Sequence, residues 1–563
     1  MESRAKDIVG QGDRLFAKRL SLLSLWQEIA QNFYVERAHF TVTHTPGEEF
    51  ADHLMSGFPL MTRRDLGNAL SSMLRPNAKD WFSIRTARPE REDNASRRWL
   101  EWASQVQKRA MYDRRARFAR ATKEADHDFV AFGQCVISAE VNRREPSLLY
   151  RCWHLRDVVW SEDESGEVSH IHRKWKPTVR ELTRTFAGKC HENVIAALDR
   201  EPEREIECRH VIMPSEDWSG ARKVRQPYVS LYVDVENGHV LEETGSWTAH
   251  YTIPRWQTVS GSQYAYSPAT VVALPDARLL QAITLTLLEA GEKAVDPPLI
   301  AVQEALRSDV ALYAGGITML DAEYDERLGE ALRPLTRDLR GIPLGEAMQR
   351  AAESQIREAF FLNKLSLPPF TGTPTATQVN QMVTEYIRNA MPLFEPIESE
   401  YSACLCEQTF ELLRRENAFG SPDDIPDALS GADIQFRFES PLHEAVERQK
   451  GQRALEAKQM LALFADTDPA VVSMVDARTA LRESLEGMGV PASWMRSDED
   501  MQEIEESERQ AAQAQQAIAL AGQAGEAAEK IGRGGTALGG ALNTADGKAI
   551  AAALGDAGIH ANG

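Results

Sequence analysis

The feature that most constrains the fold is a change of sequence periodicity along the chain. Short β-rich segments such as QCVISAEVN and YVSLYVDV fill the stretch from Gly133 to Pro254, separated by turn signals such as DESGE and VENGHV. One helix is predicted inside this stretch, near PTVRELTRTFAG, and helical periodicity dominates before and after it. Because strands and helices occupy separate stretches, the pattern predicts an α+β protein that is mainly helical.

The N-terminal part is predicted to be helical around one strand. Apolar residues at spacings of three and four predict an amphipathic helix over 14–37, and a second helix runs from Pro59 to Leu74. DWFSIR is a predicted strand, and residues 91–132 are predicted to be helical. The basic run KRAMYDRRARFARATK lies inside that last segment. It fits either a contact with nucleic acid or a solvated helix face, and the solvated face is favoured.

The C-terminal half contains two predicted helices with a compact insert between them. The first helix starts near Ser267 and ends at the proline pair 297–298, and the second spans 341–366. A loop rich in proline and threonine follows, and then a helical pattern of more than 40 residues that Pro392 and Pro396 must kink. QFRFES is a predicted strand. The last 53 residues hold 18 Ala and 11 Gly, so they predict a tail that is partly helical or disordered.

Composition narrows the class of protein. At 563 residues the chain is long enough for about three or four structural units. It has no run of eighteen apolar residues and no signal-peptide pattern, so we expect neither a membrane span nor export. The net charge of −20 argues against a protein that grips phosphate over its whole surface, but not against one that lets nucleic acid slide past.

No residue pattern points to catalysis, a cofactor or a metal. The chain lacks G-x-x-x-x-G-K-[ST], H-E-x-x-H and G-x-S-x-G, and its many carboxylates single out no pair. The six cysteines are sparse enough to be reduced thiols. Cys152 and His154 could reach one metal from a strand, although scattered Cys and His more often fill sheets without metal. We therefore expect a non-enzymatic protein without cofactor, and an enzyme with an unfamiliar site stays open.

Several segments in order resemble the portal (head-to-tail connector) proteins of short-tailed bacteriophages. The most similar stretches are ALSSMLRPNAKDWFSIR, SEDESGEVSHIHRKWKPTVREL, ECRHVIMP, YAYSPATVVALPDARLLQ, LPPFTGTPTATQVNQM and VDARTALRESLEGMGVPASWMRSDEDMQEI. They cover most of residues 15–510, and their order carries the resemblance more than any single motif. The Ala/Gly-rich tail lies outside it.

The resemblance implies a portal-type fold with a mixed α/β wing, a helical stem, a small α/β clip, a long kinked helix and a helical crown. It divides the chain into a wing (1–266), stem helix 1 (267–296), the clip (297–340), stem helix 2 (341–367), a tunnel loop (368–376), the kinked helix and its return to the wing (377–440), the crown (441–510) and the tail (511–563).

The implied function is a ring at one capsid vertex, typically of twelve subunits, through which DNA is packaged and later ejected. Its implied partners are double-stranded DNA read without sequence specificity, a terminase, a tail adaptor, and the major capsid and scaffolding proteins, with no membrane. The protein would be made in the host cytoplasm and end in the virion. A non-enzymatic helical scaffold or internal virion structural protein is the alternative.

Two sets of residues are then candidate sites. The tunnel loop would face the DNA channel, with prolines that stiffen it and threonine hydroxyls that meet phosphates without fixed charge. Its residues are Pro368, Pro369, Phe370, Thr371, Gly372, Thr373, Pro374 and Thr375, and Arg357 and Lys364 precede it in the proposed channel. The acidic residues of the insert would form a docking surface for terminase or adaptor, namely Asp321, Glu323, Asp325 and Glu326.

Spacing singles out Lys364 among the cations. Arg350, Arg357 and Lys364 recur every seven residues, so one continuous helix would bring them close to a single face. Glu346 and Glu353 stand four residues before the two arginines, where they are expected to neutralise them. Lys364 has no such partner, so it is expected to give the channel a sparse ring of positive charge, unless it points to a neighbouring subunit's carboxylate.

Overall fold

The structure is a computed structural model, and its chain divides into two compact units, Met1–Ala492 and Ser493–Gly563. The residues described are 2–43, 45, 47, 51–76, 80–88, 93–218, 225–301, 319, 332–334, 341–365, 397–421, 424–429, 431, 433–438, 501, 504 and 506–515. Within the second unit, residues 506–515 are helical. All elements below belong to the first unit.

Five helices and one strand form the N-terminal part. They are α1 (Glu2–Lys18), α2 (Leu20–Phe33), α3 (Phe58–Leu74), β1 (Phe82–Thr86), α4 (Asn94–Met111) and α5 (Phe118–Phe132). The predictions of α3 and β1 are confirmed. The single helix predicted over 14–37 is wrong, because the chain breaks between α1 and α2. The buried guanidinium of Arg19 there donates to the carbonyls of Leu155 and Val158, both at 2.6 Å, and this long-range bonding overrides the local periodicity.

The β-rich region is confirmed, with two inserted helices instead of the one predicted. The elements are β2 (Val136–Val141), β3 (Leu148–Trp153), β4 (Val158–Glu162), β5 (Val168–Trp175), α6 (Val179–Thr185), α7 (Glu192–Leu198), β6 (Cys208–Pro214), β7 (Tyr228–Asp234), β8 (His239–Ser246) and β9 (Tyr251–Thr252). An antiparallel five-stranded sheet has the order β4-β5-β6-β7-β8, and a three-stranded sheet has the order β3-β2-β9. The missed helix, α7, starts at His191, whose ring accepts from the Asn193 amide.

The five-stranded sheet is covered on both faces. Tyr232 and Leu241 pack with α6 and α7, whereas Val211 and Leu231 pack with α1. Neighbouring residues of a strand point to opposite faces, so the two helical layers lie on opposite sides of the sheet. The main core is separate. It joins α2, α3, α4, α5, the three-stranded sheet and parts of the later helices around large buried side chains such as Trp26, Phe33 and Phe129.

The later part of the unit is helical with two short strand pairs. Its elements are α8 (Pro268–Val295), β10 (Leu299–Ala301), β11 (Leu332–Pro334), α9 (Ile342–Ala359), α10 (Leu362–Leu365), a π-helix (Glu398–Ala403), α11 (Cys404–Arg415) and β12 (Ile434–Phe438). Strand β12 returns to the N-terminal part and pairs antiparallel with β1, with Phe82 opposite Phe438. The prediction of a strand at QFRFES is thereby confirmed, and so is a helix that ends just before the proline pair.

The second stem helix is shorter than predicted. It ends at Ala359, and Phe361 adopts a left-handed conformation (φ 57°) before α10 begins. The break follows from packing, because Phe360 is fully buried with its ring 5.4 Å from that of Phe33. The kinked helix predicted from 377 and the crown over 441–510 lie largely outside the described residues, as does most of the tail.

Candidate functional site

Helix α8 is fixed to the core at its first turn. The Ser267 hydroxyl caps the helix by accepting from the Thr270 amide (3.2 Å) and donates to the carbonyl of Val130 (2.7 Å). The Thr270 hydroxyl donates to the carbonyl of Ala131 at 2.7 Å. Gly133 supplies the space, because a Cβ there would lie 2.1 Å from the backbone of Tyr266 and its φ is +74°. The end of α5 and the start of α8 are therefore one bonded junction.

Helices α8 and α9 form an antiparallel pair, the α8–α9 hairpin, whose outer end carries the β10–β11 strands. The helices approach closely where Gly345 faces Leu287, since a Cβ on that glycine would lie 2.8 Å from a leucine methyl. At the inner end, Leu280 on α8 and Ile356 on α9 are completely buried. The hairpin thus packs into the core at its inner end and extends away from the core at its outer end.

The hairpin exposes apolar side chains along its length. On the outer part they are Leu285, Leu288, Val295, Leu344 and Met348, and nearer the core they are Val271, Val272 and Leu279. Among the described residues, α8 is also the one helix long and apolar enough, by length and composition, to cross a membrane. This differs from our expectation of no such segment, because only Asp276 and Arg278 interrupt its first twenty residues. A helix that is apolar on all sides normally has neighbours all round, whereas in the described part of the chain several apolar side chains of α8 stay exposed.

The apolar character of the two predicted stem helices implies that each needs partners from another chain. The residues concerned are Leu279, Leu280, Ile283 and Leu287 on the first helix and Leu344, Met348, Phe360 and Phe361 on the second. Some of these side chains are already satisfied. Leu280 and Phe360 are buried within this chain, whereas Leu344 is 66% exposed and Met348 45% exposed. The expected set on α8 did not include five further exposed residues, namely Val271, Val272, Leu285, Leu288 and Val295. The useful signal was the lack of any polar face on that helix.

The charged residues of α9 only partly follow the heptad expectation. Arg350 pairs with Glu346 at 3.2 Å, as predicted. Arg357 instead places its guanidinium 5.6 Å from the ring centre of Phe58, and Glu353 accepts from Gln349 at 3.4 Å. The left-handed Phe361 also interrupts the helix before Lys364, so the heptad relation that assumed one continuous helix does not hold. The Lys364 side chain itself lies outside the described residues.

A buried ion pair ties together the elements beside the hairpin. The Arg75 guanidinium, just after α3, donates to the carboxylate of Asp126 on α5, and both side chains are almost fully buried. The Tyr401 hydroxyl from the π-helix donates to the same carboxylate at 2.9 Å. Burial raises the pKa of Asp126, and the neighbouring Arg75 charge opposes that rise. The pair therefore depends on both partners remaining present.

Cys152 and His154, the pair considered for metal binding, form contacts with other residues of the chain. The Cys152 thiol contacts the carboxylate of Asp128 at 3.6 Å, while the His154 ring accepts from the Arg156 amide at 3.0 Å. Burial lowers the pKa of His154 to about 3. Within the described part of the chain, no group of three or more Cys, His, Asp or Glu side chains is arranged to hold a metal ion.

The two loop sites predicted from sequence lie outside the described residues. This applies to the tunnel-loop residues Pro368, Pro369, Phe370, Thr371, Gly372, Thr373, Pro374 and Thr375 and to the docking residues Asp321, Glu323, Asp325 and Glu326. What the structure describes is the helices and strands that lead into both segments.

Comparison with known proteins gives one family and one curated relative. The family described as bacteriophage head to tail connecting protein matches residues 5–495. A protein of Salmonella phage epsilon15 named "Portal protein" is 22% identical over 535 residues, which cover 89% of this chain and 91% of that protein.

Solved structures of gene transfer agent (GTA) particles are more distantly similar. A chain in the neck of an empty GTA particle has a TM-score of 0.34 and 11% identity, covering 70% of this chain and 84% of its own. A chain in the virion of a native GTA particle has a TM-score of 0.32 and 10% identity, covering 73% and 86%. The family match covers most of the chain, and this chain therefore belongs to the bacteriophage head-to-tail connecting proteins.

Proposed function

We propose that this chain is the portal protein of a tailed phage, a structural subunit that forms a closed ring at one capsid vertex. The ring would be the conduit for DNA packaging and ejection and the attachment point for the terminase and the tail. One structural observation carries the proposal beyond family membership, namely the exposed apolar surface of the α8–α9 hairpin. That surface needs a partner, and in a connector the nearest partner is a second copy of the chain.

A ring satisfies this surface better than a symmetric dimer does. In a head-to-tail contact, each hairpin packs against a different face of the next copy, and rotation closes the series without leaving a free end. Full burial of a leucine side chain contributes about 1.5–3 kcal/mol. Leu344, being 66% exposed in the single chain, would contribute about 1–2 kcal/mol at each contact of the ring.

The test compares two leucine-to-aspartate variants in the full chain. Leu344→Asp places a charge in the proposed interface, whereas Leu20→Asp places one at a similarly exposed leucine on α2 (63%). Both should fold, because both side chains are exposed in the single chain. We expect native mass spectrometry and negative-stain microscopy to show rings for wild type and Leu20→Asp, and monomers for Leu344→Asp.

Other outcomes would contradict this part of the proposal. Wild-type protein that stays monomeric at micromolar concentration, or forms filaments, would favour the scaffold alternative. Rings of Leu344→Asp equal to wild type would show that the hairpin surface is not the subunit interface.

We further propose that the loop 368–376 faces the DNA channel and that Lys364 and Arg357 lie at its approach. The two described helices of the hairpin carry six acidic and four basic residues, and such a surface repels phosphate and keeps DNA mobile. Lys364→Ala rings should assemble normally but package or retain less DNA. Arg350→Ala is the matched control, because Arg350 is already paired with Glu346. Packaging by Lys364→Ala at the wild-type level would contradict this role.

The acidic insert is proposed as the docking surface for the terminase and later the tail adaptor. Acidic side chains speed encounter with a basic partner and help to select it. Reversing Asp325 and Glu326 to lysine should weaken binding of either partner in a pull-down while rings still form. Equal binding by wild type and variant would remove this assignment.

A further inference from the structure

A concentrated basic feature lies where α4 meets α5. We define the basic turn as residues 113–124, which comprise part of the link between α4 and α5 and the first turns of α5. It contains five cations and two carboxylates in a chain of net charge −20. The cations are Arg114, Arg115, Arg117, Arg120 and Lys123, and all five are exposed. From these residues and their setting we infer that the basic turn binds the phosphate backbone of double-stranded DNA.

Most of the positive charge in the turn is unneutralised. Asp113 lies 3.4 Å from Arg115, and Glu124 lies 3.0 Å from Arg120. No ion pair of the described residues involves Arg114, Arg117 or Lys123. Three cations are therefore available to a negatively charged partner.

Two of the cations, Arg117 and Arg120, lie where positive charge destabilises the N-terminus of α5. Arg117 is the residue before α5, adopts a left-handed conformation (φ 57°) and forms no side-chain cap. Arg120 follows in the first turn, which holds no acidic residue. Positive charge at a helix N-terminus opposes the helix dipole, and a left-handed conformation is unfavourable for a residue other than glycine. An anion bound at this helix end would offset both costs.

The backbone of the turn is held firmly, so the cations are presented on a rigid support. Ala116 is fully buried, and its carbonyl accepts from the Tyr150 amide at 2.9 Å. Phe118 is 2% exposed and packs between Tyr112 and Tyr150, with ring centres 5.2 and 5.0 Å away. Binding would therefore cost little ordering of the backbone.

The composition of the surface favours nucleic acid over a protein partner. Protein interfaces have a core of apolar or aromatic side chains, but the larger apolar residue of this segment, Phe118, points into the fold. Ala119 is the one exposed apolar residue of the turn. Arginine dominates the cations, and its planar fork suits phosphate oxygens.

The basic turn is also distant from the proposed channel cation Arg357. Arg357 contacts Phe58, the first residue of α3, whereas Arg75, just beyond the end of α3, interacts with Tyr112 beside the basic turn. Seventeen helical residues separate these ends by about 25 Å. The inference rests on the proposed function because it takes DNA as the polyanion. The basic turn is a second surface, and its binding of DNA does not require ring formation.

The test measures binding of a fluorescein-labelled 30-base-pair duplex by anisotropy at 50, 100 and 200 mM NaCl. Each phosphate contact contributes about −0.9 to the slope of log K against log salt. The triple variant Arg114→Gln, Arg117→Gln, Lys123→Gln should have a slope shallower by about 2–3 and an affinity at 100 mM lower by more than about tenfold. The double variant Arg114→Gln, Lys123→Gln keeps Arg117, the residue before α5. Its slope should change by about two-thirds as much as that of the triple variant.

The control triple removes the same charge elsewhere. Lys176→Gln, Arg184→Gln and Arg200→Gln change three exposed cations around α6 and α7, and DNA binding should stay at the wild-type level. If both triple variants bind DNA equally weakly, the effect is one of net charge and the inference is overturned. Binding at the wild-type level by the basic-turn triple variant would also overturn it. Retained DNA binding with loss of rings in native mass spectra would identify a contact between subunits instead. Ring formation is scored separately, so failure of this inference is distinct from failure of the proposed function.

Discussion

Replacing Arg75 with methionine should destabilise the fold strongly, by an amount that changes with pH. The perturbation removes the cation of a pair in which the side chains of Arg75 and Asp126 are 3% and 1% exposed. Methionine keeps much of the volume, so the main consequence is a buried carboxylate without its counter-ion. Breaking a buried pair in this way costs about 3–5 kcal/mol.

The cost can also be worked from protonation. The carboxyl of an unfolded chain has a pKa of about 3.9, and one pKa unit corresponds to about 1.4 kcal/mol. If Asp126 is protonated in the folded variant, binding that proton lowers the free energy of unfolding by about 4 kcal/mol at pH 7 and by about 1.5 kcal/mol at pH 5. Because the folded-state pKa lies above the unfolded value, the folded variant binds the extra proton, so its deficit relative to wild type shrinks as pH falls.

Urea unfolding followed by tryptophan fluorescence at pH 7, 6 and 5 measures both quantities. Arg350→Met is the control, because Arg350 is 77% exposed in its pair with Glu346 and such pairs contribute about 0–1 kcal/mol. Adding Asp126→Asn to Arg75→Met should remove the pH-dependent part of the deficit. A loss below about 1 kcal/mol for Arg75→Met, or a loss equal at pH 7 and pH 5, would refute the reasoning.

Two further predictions concern single positions. Gly133→Ala should prevent α5 and α8 from meeting, since the new Cβ would lie 2.1 Å from the Tyr266 backbone, and soluble protein with wild-type thermal stability would contradict it. His172 is fully buried without a hydrogen bond to either ring nitrogen in the described structure, and burial lowers its pKa to about 3. Its folded-state pKa lies below the unfolded value of about 6.5, so its contribution is complete above pH 6.5 and is lost as pH falls toward 3. His172→Phe should therefore reduce the slope of unfolding free energy against pH between 6 and 5 by about 1.4 kcal/mol per unit, measured by urea unfolding, and an unchanged slope would show that His172 does not titrate there.

The order of elements could be predicted from the sequence because local signals coincide with the fold. Proline set the limits of α3 and α8, since it fits a first helical turn and cannot continue a helix. Short β-rich segments bounded by turn signals predicted the strands of the five-stranded sheet. The motifs in order also predicted the connector family, which the match over residues 5–495 confirms.

The tertiary structure decided where these local patterns are interrupted. Residues 14–37 have a continuous helical pattern, yet Arg19 breaks it to reach carbonyls about 136 residues away in sequence. Phe361 breaks α9 because Phe360 packs on Phe33, and no local signal marks that contact. Non-local hydrogen bonds and core packing outweigh helix propensities that differ by less than about 1 kcal/mol per residue.

The same distinction applies to function. Sequence alone identified the basic run, but it could not tell which cations have partners, since that depends on side chains brought together from other elements. Likewise it could name apolar residues on α8 and α9 without telling which of them the chain itself buries. Leu280 and Phe360 are buried in the core, whereas Leu344 stays exposed. The reason is that the hairpin packs against the core at its inner end and extends away from it at its outer end. Local sequence determined the elements and the family, and packing between distant residues decided which surfaces remain for partners.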